Sequence, residues 1–203
     1  MKNFKYFLFA ILTAAVFTAC DDDTDLPPYG PVLLAEDFND GADNIPLVVD
    51  GWTNYASEGS AIWKHQVFSG DGYAEFTSFN SGDAVNVAWL ISKKVTIAAG
   101  DVAYLRFQTS QSFLTDPANN KLEVFVSKDF DGTNVEAATW TELTPQALPT
   151  PANDFYEYVD SGEMSLAGFD GDVYIALRAT GSGTNTALDG SYQVDRFRIY
   201  QKQ

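Results

Sequence analysis

"KLEVFVS", residues 121–127, alternates apolar and polar side chains so that Leu122, Val124 and Val126 share one face, the spacing of a strand half-buried in a sheet. The same period of two runs through "DVYIALRAT" (172–180), where Val173, Ile175, Leu177 and Ala179 fall together. "VAYLRFQTS" (102–110) and "VAWLIS" (87–92) repeat it. β-Branched and aromatic residues fill these runs, and no apolar stretch of period 3.6 is long enough to compete. Between them lie the turn clusters "FNDGADN" (38–44), "SGDG" (69–72), "DFDGTN" (129–134), "FDGD" (169–172) and "TGSGTN" (180–185). Their Asp and Asn side chains bond nearby backbone, and their glycines accept positive φ. Short strands punctuated in this way predict an all-β fold, an antiparallel β-sandwich.

The N-terminus reads differently. "MKNFKYFLFAILTAAVFTAC" places Lys2 and Lys5 ahead of an apolar run from Phe7 to Phe17 that is too short for a membrane anchor, which predicts a signal peptide over 1–19. "FTAC" resembles the lipobox at which bacterial lipoproteins are cleaved and acylated, and this implies lipidation of Cys20, the only cysteine. "DDDTDLPPYGP", within 20–31, is acidic and then proline-rich, a tether with no face to bury. An acidic run in that place resembles the surface-export signal of Bacteroidetes lipoproteins, which implies an outer-membrane lipoprotein exposed at the cell surface. Residues 32–203 have the length of a single domain. "TPQALPTPAND" (144–154) reads as a proline-rich crossing loop, because too little chain follows it for a second core.

With 28 Asp and Glu against 12 Lys and Arg, the formal charge is −16. That balance argues against nucleic acid and against adsorption to an anionic membrane, leaving the lipid as the only membrane contact. With Cys20 committed to lipid, no disulfide can form.

Two acids stand in phase with apolar residues. In "SYQVDRFRIY" (191–200), Asp195 aligns with Phe197 and Ile199, and in "VLLAEDF" (32–38), Glu36 aligns with Val32, Leu34 and Phe38. A buried unpaired carboxylate costs several kcal/mol, roughly the stability of a whole domain. Calcium would neutralise it, because it takes oxygen ligands from separated segments in a tolerant geometry. The alternative is that bulges shift the register and bring both acids to the surface.

The order "AEDFNDG", "GWTNY", "SAIW", "WLISKKVTI", "KLEVFVSKDFDGTNVEAATWTEL", "YQVDRFRIY" resembles the β-jelly-roll domain called choice-of-anchor J in Bacteroidetes surface proteins. More distantly it resembles cleaved-adhesin and MAM domains and galactose-binding-like carbohydrate modules. The resemblance implies a jelly roll with a structural calcium held by Asn39, Asp71 and Asp195. Asn39 departs from the acid usual there, and Glu36, a candidate from phase alone, or Asp40 would compensate. "DFDGTN" lacks the full ligand pattern of a calcium loop and reads as a hairpin turn.

Catalytic signatures are scarce. His65 is the only histidine, and the nucleophile-elbow, zinc and phosphate-loop patterns are absent. Exposed aromatic rings at loop edges are the usual means by which a jelly roll holds a sugar. Trp52 and Trp89 read as core, while Trp63, Tyr55, Trp140 and the adjacent His65 are the candidates for a ligand face. The expectation is a calcium-stabilised binding or adhesion module without catalysis, with glycan as its first-choice ligand. A subunit of a surface complex that meets a protein partner comes second, and a small glycan hydrolase third. An exposed aromatic strip beside polar side chains would favour the sugar.

Overall fold

The computed structural model describes residues 29–202, so the signal peptide, Cys20 and most of the tether lie outside the described residues. In chain order the strands are β1 (Tyr29–Glu36), β2 (Ile45–Pro46), β3 (Thr53–Glu58), β4 (Lys64–Phe68), β5 (Asp71–Phe76), β6 (Asn86–Ile91), β7 (Val95–Ile97), β8 (Ala103–Ser112), β9 (Lys121–Ser127), β10 (Thr141–Leu143), β11 (Val159–Asp160), β12 (Met164–Ser165), β13 (Gly171–Gly181) and β14 (Ser191–Lys202). The first sheet runs β11-β8-β14-β5-β4-β2, with β1 also on β14 and β12 also on β8. The second runs β10-β9-β13-β6-β3, with β7 on β13. All pairings are antiparallel. The expected all-β jelly-roll sandwich is therefore the fold, and the only helix among the described residues is a 3-10 turn at Val135–Ala137. β1 begins three residues before the domain start expected at 32.

The alternation seen in the sequence is what closes the sandwich. Leu105, Phe107, Phe76, Tyr192, Val194, Phe197 and Ile199 of the first sheet meet Leu90, Leu122, Val124, Val126, Val173, Ile175 and Leu177 of the second. The β4–β5 hairpin is turned by Ser69 and Gly70, both at positive φ (54° and 87°), which suits the right-handed twist of the strands and fixes Phe68 opposite Asp71.

The two acids placed in phase with the core are not in it. In β14 the pairing to β8 skips between Asp195 and Arg198, and Arg196 takes φ 50°. This bulge changes parity: Tyr192 and Val194 point inward before it, Phe197 and Ile199 after it. Asp195 therefore joins Ser191 and Gln193 on the outer face. In β1 the register shifts twice before Leu34, and Val32 is exposed. Glu36 is half-buried, and its carboxylate accepts a hydrogen bond from the Phe38 N–H at 2.8 Å.

Candidate functional site

The outer face of the first sheet carries a continuous polar network built from outward positions of β4, β5, β14 and β8. Gln66 donates to Glu75 (3.1 Å), and Gln193 donates to the other Glu75 oxygen (2.8 Å) and to Ser191 (2.6 Å). Ser110 donates to the Gln193 carbonyl oxygen (2.8 Å), and the Ser112 and Ser191 hydroxyls meet at 2.6 Å. Amides, hydroxyls and one carboxylate in a connected array are rigid donors and acceptors without a positive charge among them.

Aromatic rings rim this network. The segment between β10 and β11, which contains the proline-rich run 144–154, places Phe155, Tyr156 and Tyr158 opposite Phe68 and Tyr73. These rings and Asp71 enclose a hollow of about 530 Å³. Past Phe155 and Tyr156 the groove opens into a second hollow of about 750 Å³, lined among others by Glu75, Phe79, Phe113 and Asp189. The Phe113 and Phe155 rings sit 4.6 Å apart. Phe68 is 74% exposed, Phe113 66% and Phe79 60%, and Phe155 and Tyr156 each 53%.

Phe113 and Tyr156 also adopt φ of 56° and 62°, a region that bulky side chains rarely enter and that costs of order 1–3 kcal/mol. The crossing segment is nevertheless pinned. The Tyr156 N–H donates to the Gln111 carbonyl (3.0 Å), and the Gln111 side chain donates to the Asn153 carbonyl (2.7 Å). Burial and the Glu75 charge push the Tyr73 hydroxyl up to about 12, and burial pushes that of Tyr158 higher still. Both remain neutral hydroxyl donors and acceptors.

Asp195 lies beneath this groove and is only 5% exposed. Burial raises its carboxyl to about 6; the Arg196 N–H, which it accepts, lowers it, and the charges of Asp71 and Asp37 raise it further. Asp71 lines the groove, and the same Asp71 charge is felt by Asp195 and Tyr158. Of the expected calcium ligands, then, Asp71 lines the groove and its charge bears on the buried Asp195. Asn39 reaches the same hairpin, its side-chain oxygen accepting from Gly72 N–H at 2.7 Å. Glu36 is engaged by the Phe38 amide and Asp37 by Arg198.

Among the described residues no group of three or more His, Cys, Asp and Glu side chains could hold a metal ion. The donor chemistry still suits a hard cation: carboxylates from β5 and β14 and an amide oxygen from the loop after β1, which backbone carbonyls would complete. "DFDGTN" does not supply such a site. Asp131 there accepts from Thr133 N–H, Thr133 hydroxyl and Asn134 N–H, and these bonds hold its carboxyl below the usual range.

The expected ligand face dissolves. Trp63 is completely buried, packed at a tilt against Phe76, and cannot offer a ring to a ligand. His65 is buried as well: Nδ1 contacts the Ala42 carbonyl at 3.0 Å and Nε2 the Phe38 carbonyl, so it clamps the 38–42 loop. A strand residue facing alternate sides gave no warning that the loop would fold over it. Tyr55 and Trp140 do lie together, on the outer face of the second sheet. Tyr55 donates to Glu136 (3.3 Å), and Trp140 packs on Trp89 and Phe130 as part of a small satellite core. Trp52 packs edge-on against Phe38 and Phe197, a packing role as read from sequence. The rings that rim the groove were not singled out. The available signal was "DFYEYV" (154–159), three aromatic residues in a segment with no alternating apolar partner.

Similar solved structures are sandwiches of this kind. The K2 cleaved adhesin domain of Lys-gingipain superposes with TM-score 0.53 at 16% identity, covering 82% of this chain and 96% of that one. The K1 domain, from Porphyromonas gingivalis W83, gives 0.51 at 14%, covering 84% and 98%. The CBM22-1–CBM22-2 tandem of Paenibacillus barcinonensis Xyn10C gives 0.50 at 13%, covering 88% of this chain and 48% of the tandem. At such identities the likeness speaks for the fold alone. No curated protein matches the chain. The family described as a domain of unknown function, DUF5017, matches residues 56–203, most of the sandwich with its groove, and the chain belongs to that family.

Proposed function

We propose that the domain is a non-catalytic glycan-binding or adhesion module that holds its ligand in the aromatic groove along β5. The observation that carries this reading is the row of exposed rings beside the polar groups that reach the groove, the Glu75 carboxylate, the Ser112 and Ser191 hydroxyls and the Tyr73 phenol, braced from beneath by buried Gln193 and Ser110. Sugars present apolar C–H faces and polar hydroxyl edges, and a site that pairs aromatic faces with fixed donors and acceptors matches both. The CBM22 and cleaved-adhesin names of similarly folded domains support it. Exposed rings at strained backbone positions are otherwise a liability for a secreted domain.

The wider setting belongs to the same proposal. Cys20 carries the lipid, residues 20–28 tether the domain, and the module is displayed from the outer membrane of a Bacteroidetes-type cell, meeting the membrane through lipid alone. Asp71, Asp195 and Asn39 hold a structural calcium at one end of the groove. A glycan array probed with residues 29–203 and with Phe155→Ala and Tyr156→Ala variants tests the binding claim. Binding that both substitutions weaken at least tenfold supports it; binding that neither affects refutes the location. Fatty-acid labelling of the expressed precursor that disappears in Cys20→Ser tests the anchor.

A further inference from the structure

We infer that the groove takes an uncharged glycan chain and turns away uronate- or sulfate-bearing ones, an inference that rests on the glycan-binding reading above. Both hollows are lined by acids, Asp71 in one and Glu75 and Asp189 in the other, and neither is lined by a Lys, Arg or His. Lys64 stands opposite Glu75 in the β4–β5 register, but its ammonium donates to the Asn44 side chain at 3.0 Å and does not line either hollow. The arginines are held elsewhere. Three of the four arginines of the chain, Arg106, Arg196 and Arg198, line a separate hollow beyond Asp160. There Asp160 grips Arg106 at 2.7–2.9 Å and Asp37 pairs with Arg198. In a chain of formal charge −16, a calcium at the Asp71 end would leave the acids of the second hollow, Glu75 and Asp189, unbalanced, and they repel an anion.

What the groove does supply is hydroxyl recognition. Glu75 is fixed between Gln66 and Gln193, so its oxygens are aimed rather than mobile, and Tyr73 adds a phenolic hydroxyl. The two hollows share Phe155 and Tyr156 and follow β5 from Asp71 to Thr77, about 20 Å at strand rise. That length suits several linked sugar rings, not one. A ligand carboxylate ~6 Å from one groove carboxylate at an effective dielectric of ~40 binds about tenfold more weakly than its neutral counterpart.

The test measures binding to soluble galactan, xylan, β-glucan and mannan, each beside a carboxylated or sulfated form of comparable size. The expected result is that a neutral polymer binds and its anionic counterpart binds about tenfold more weakly or worse. Raising the salt to about 0.5 M should shrink that gap while leaving the neutral affinity in place. Glu75→Gln and Asp189→Asn, each checked for folding by thermal melting, should shrink it at low salt. An anionic polymer that binds as well as its neutral form, or a gap indifferent to salt, overturns the inference while leaving glycan binding intact. Failure of every polymer, neutral and charged, overturns the glycan reading and the inference with it.

Discussion

Replacing Asp195 with Asn should stabilise the domain when no divalent cation is present. In the folded chain the Asp195 carboxyl is raised from its ordinary 3.8 to about 6, chiefly by burial and secondarily by the charges of Asp71 and Asp37. A raised acid favours the folded state below the unfolded value and loses that contribution as pH climbs through the folded one, so the window runs from 3.8 to about 6. Above it the charged side chain weakens the fold by up to about 3 kcal/mol, and nearer 2 after allowance for solvent screening. Asn keeps the acceptor for the Arg196 N–H and carries no charge to bury. Thermal melting of residues 29–203 and the variant in EDTA is the assay. Near pH 4 the two should melt together; at pH 7.5 the variant should melt about 4–10 °C higher. Millimolar calcium should reverse the order, raising the wild type alone. A variant no more stable than wild type at pH 7.5 in EDTA would refute the burial argument for Asp195.

Tyr156→Gly exchanges a strained left-handed residue for one at ease there, so the fold should stay within about 1 kcal/mol of wild type by urea titration while glycan affinity falls at least tenfold. Gly72→Ala would drive a Cβ into the Phe38 carbonyl oxygen, and a loss of roughly 1–3 kcal/mol is expected in the same titration. Trp63→Phe leaves a void in the inter-sheet core and removes the indole bond to the Ala88 carbonyl, costing about 1–3 kcal/mol. Glycan affinity measured below the variant's melting range should not change, which separates this buried tryptophan from the groove.

Strand alternation made the sandwich legible because a half-buried strand must alternate wherever it is regular. "KLEVFVS" coincides with β9 end to end for that reason. Bulges are where the reading failed. Asp195 looked like a core acid only because the residues after it keep a regular period, while the extra residue at Arg196 had already shifted the phase. Asp195 was singled out by phase and again by motif resemblance, whereas Asp71 came from the resemblance alone. The aromatic groove was missed because it depends on a segment with no period of its own. Phe155, Tyr156 and Tyr158 acquire meaning only when the 144–158 crossing lays them over β5 and β8. Trp63 and His65 erred in the opposite direction: proximity in sequence to other aromatics resembled a binding face, whereas the 38–42 loop and the second sheet bury both.

The central claim is the location of the ligand, and an amide chemical-shift titration of residues 29–203 with an oligosaccharide of the best-binding neutral glycan tests it most directly. The account predicts saturable shifts concentrated at residues 66–75, 110–113 and 155–158, on the outer face of the first sheet. Shifts centred instead on Tyr55, Trp89 and Trp140 of the opposite sheet would contradict it.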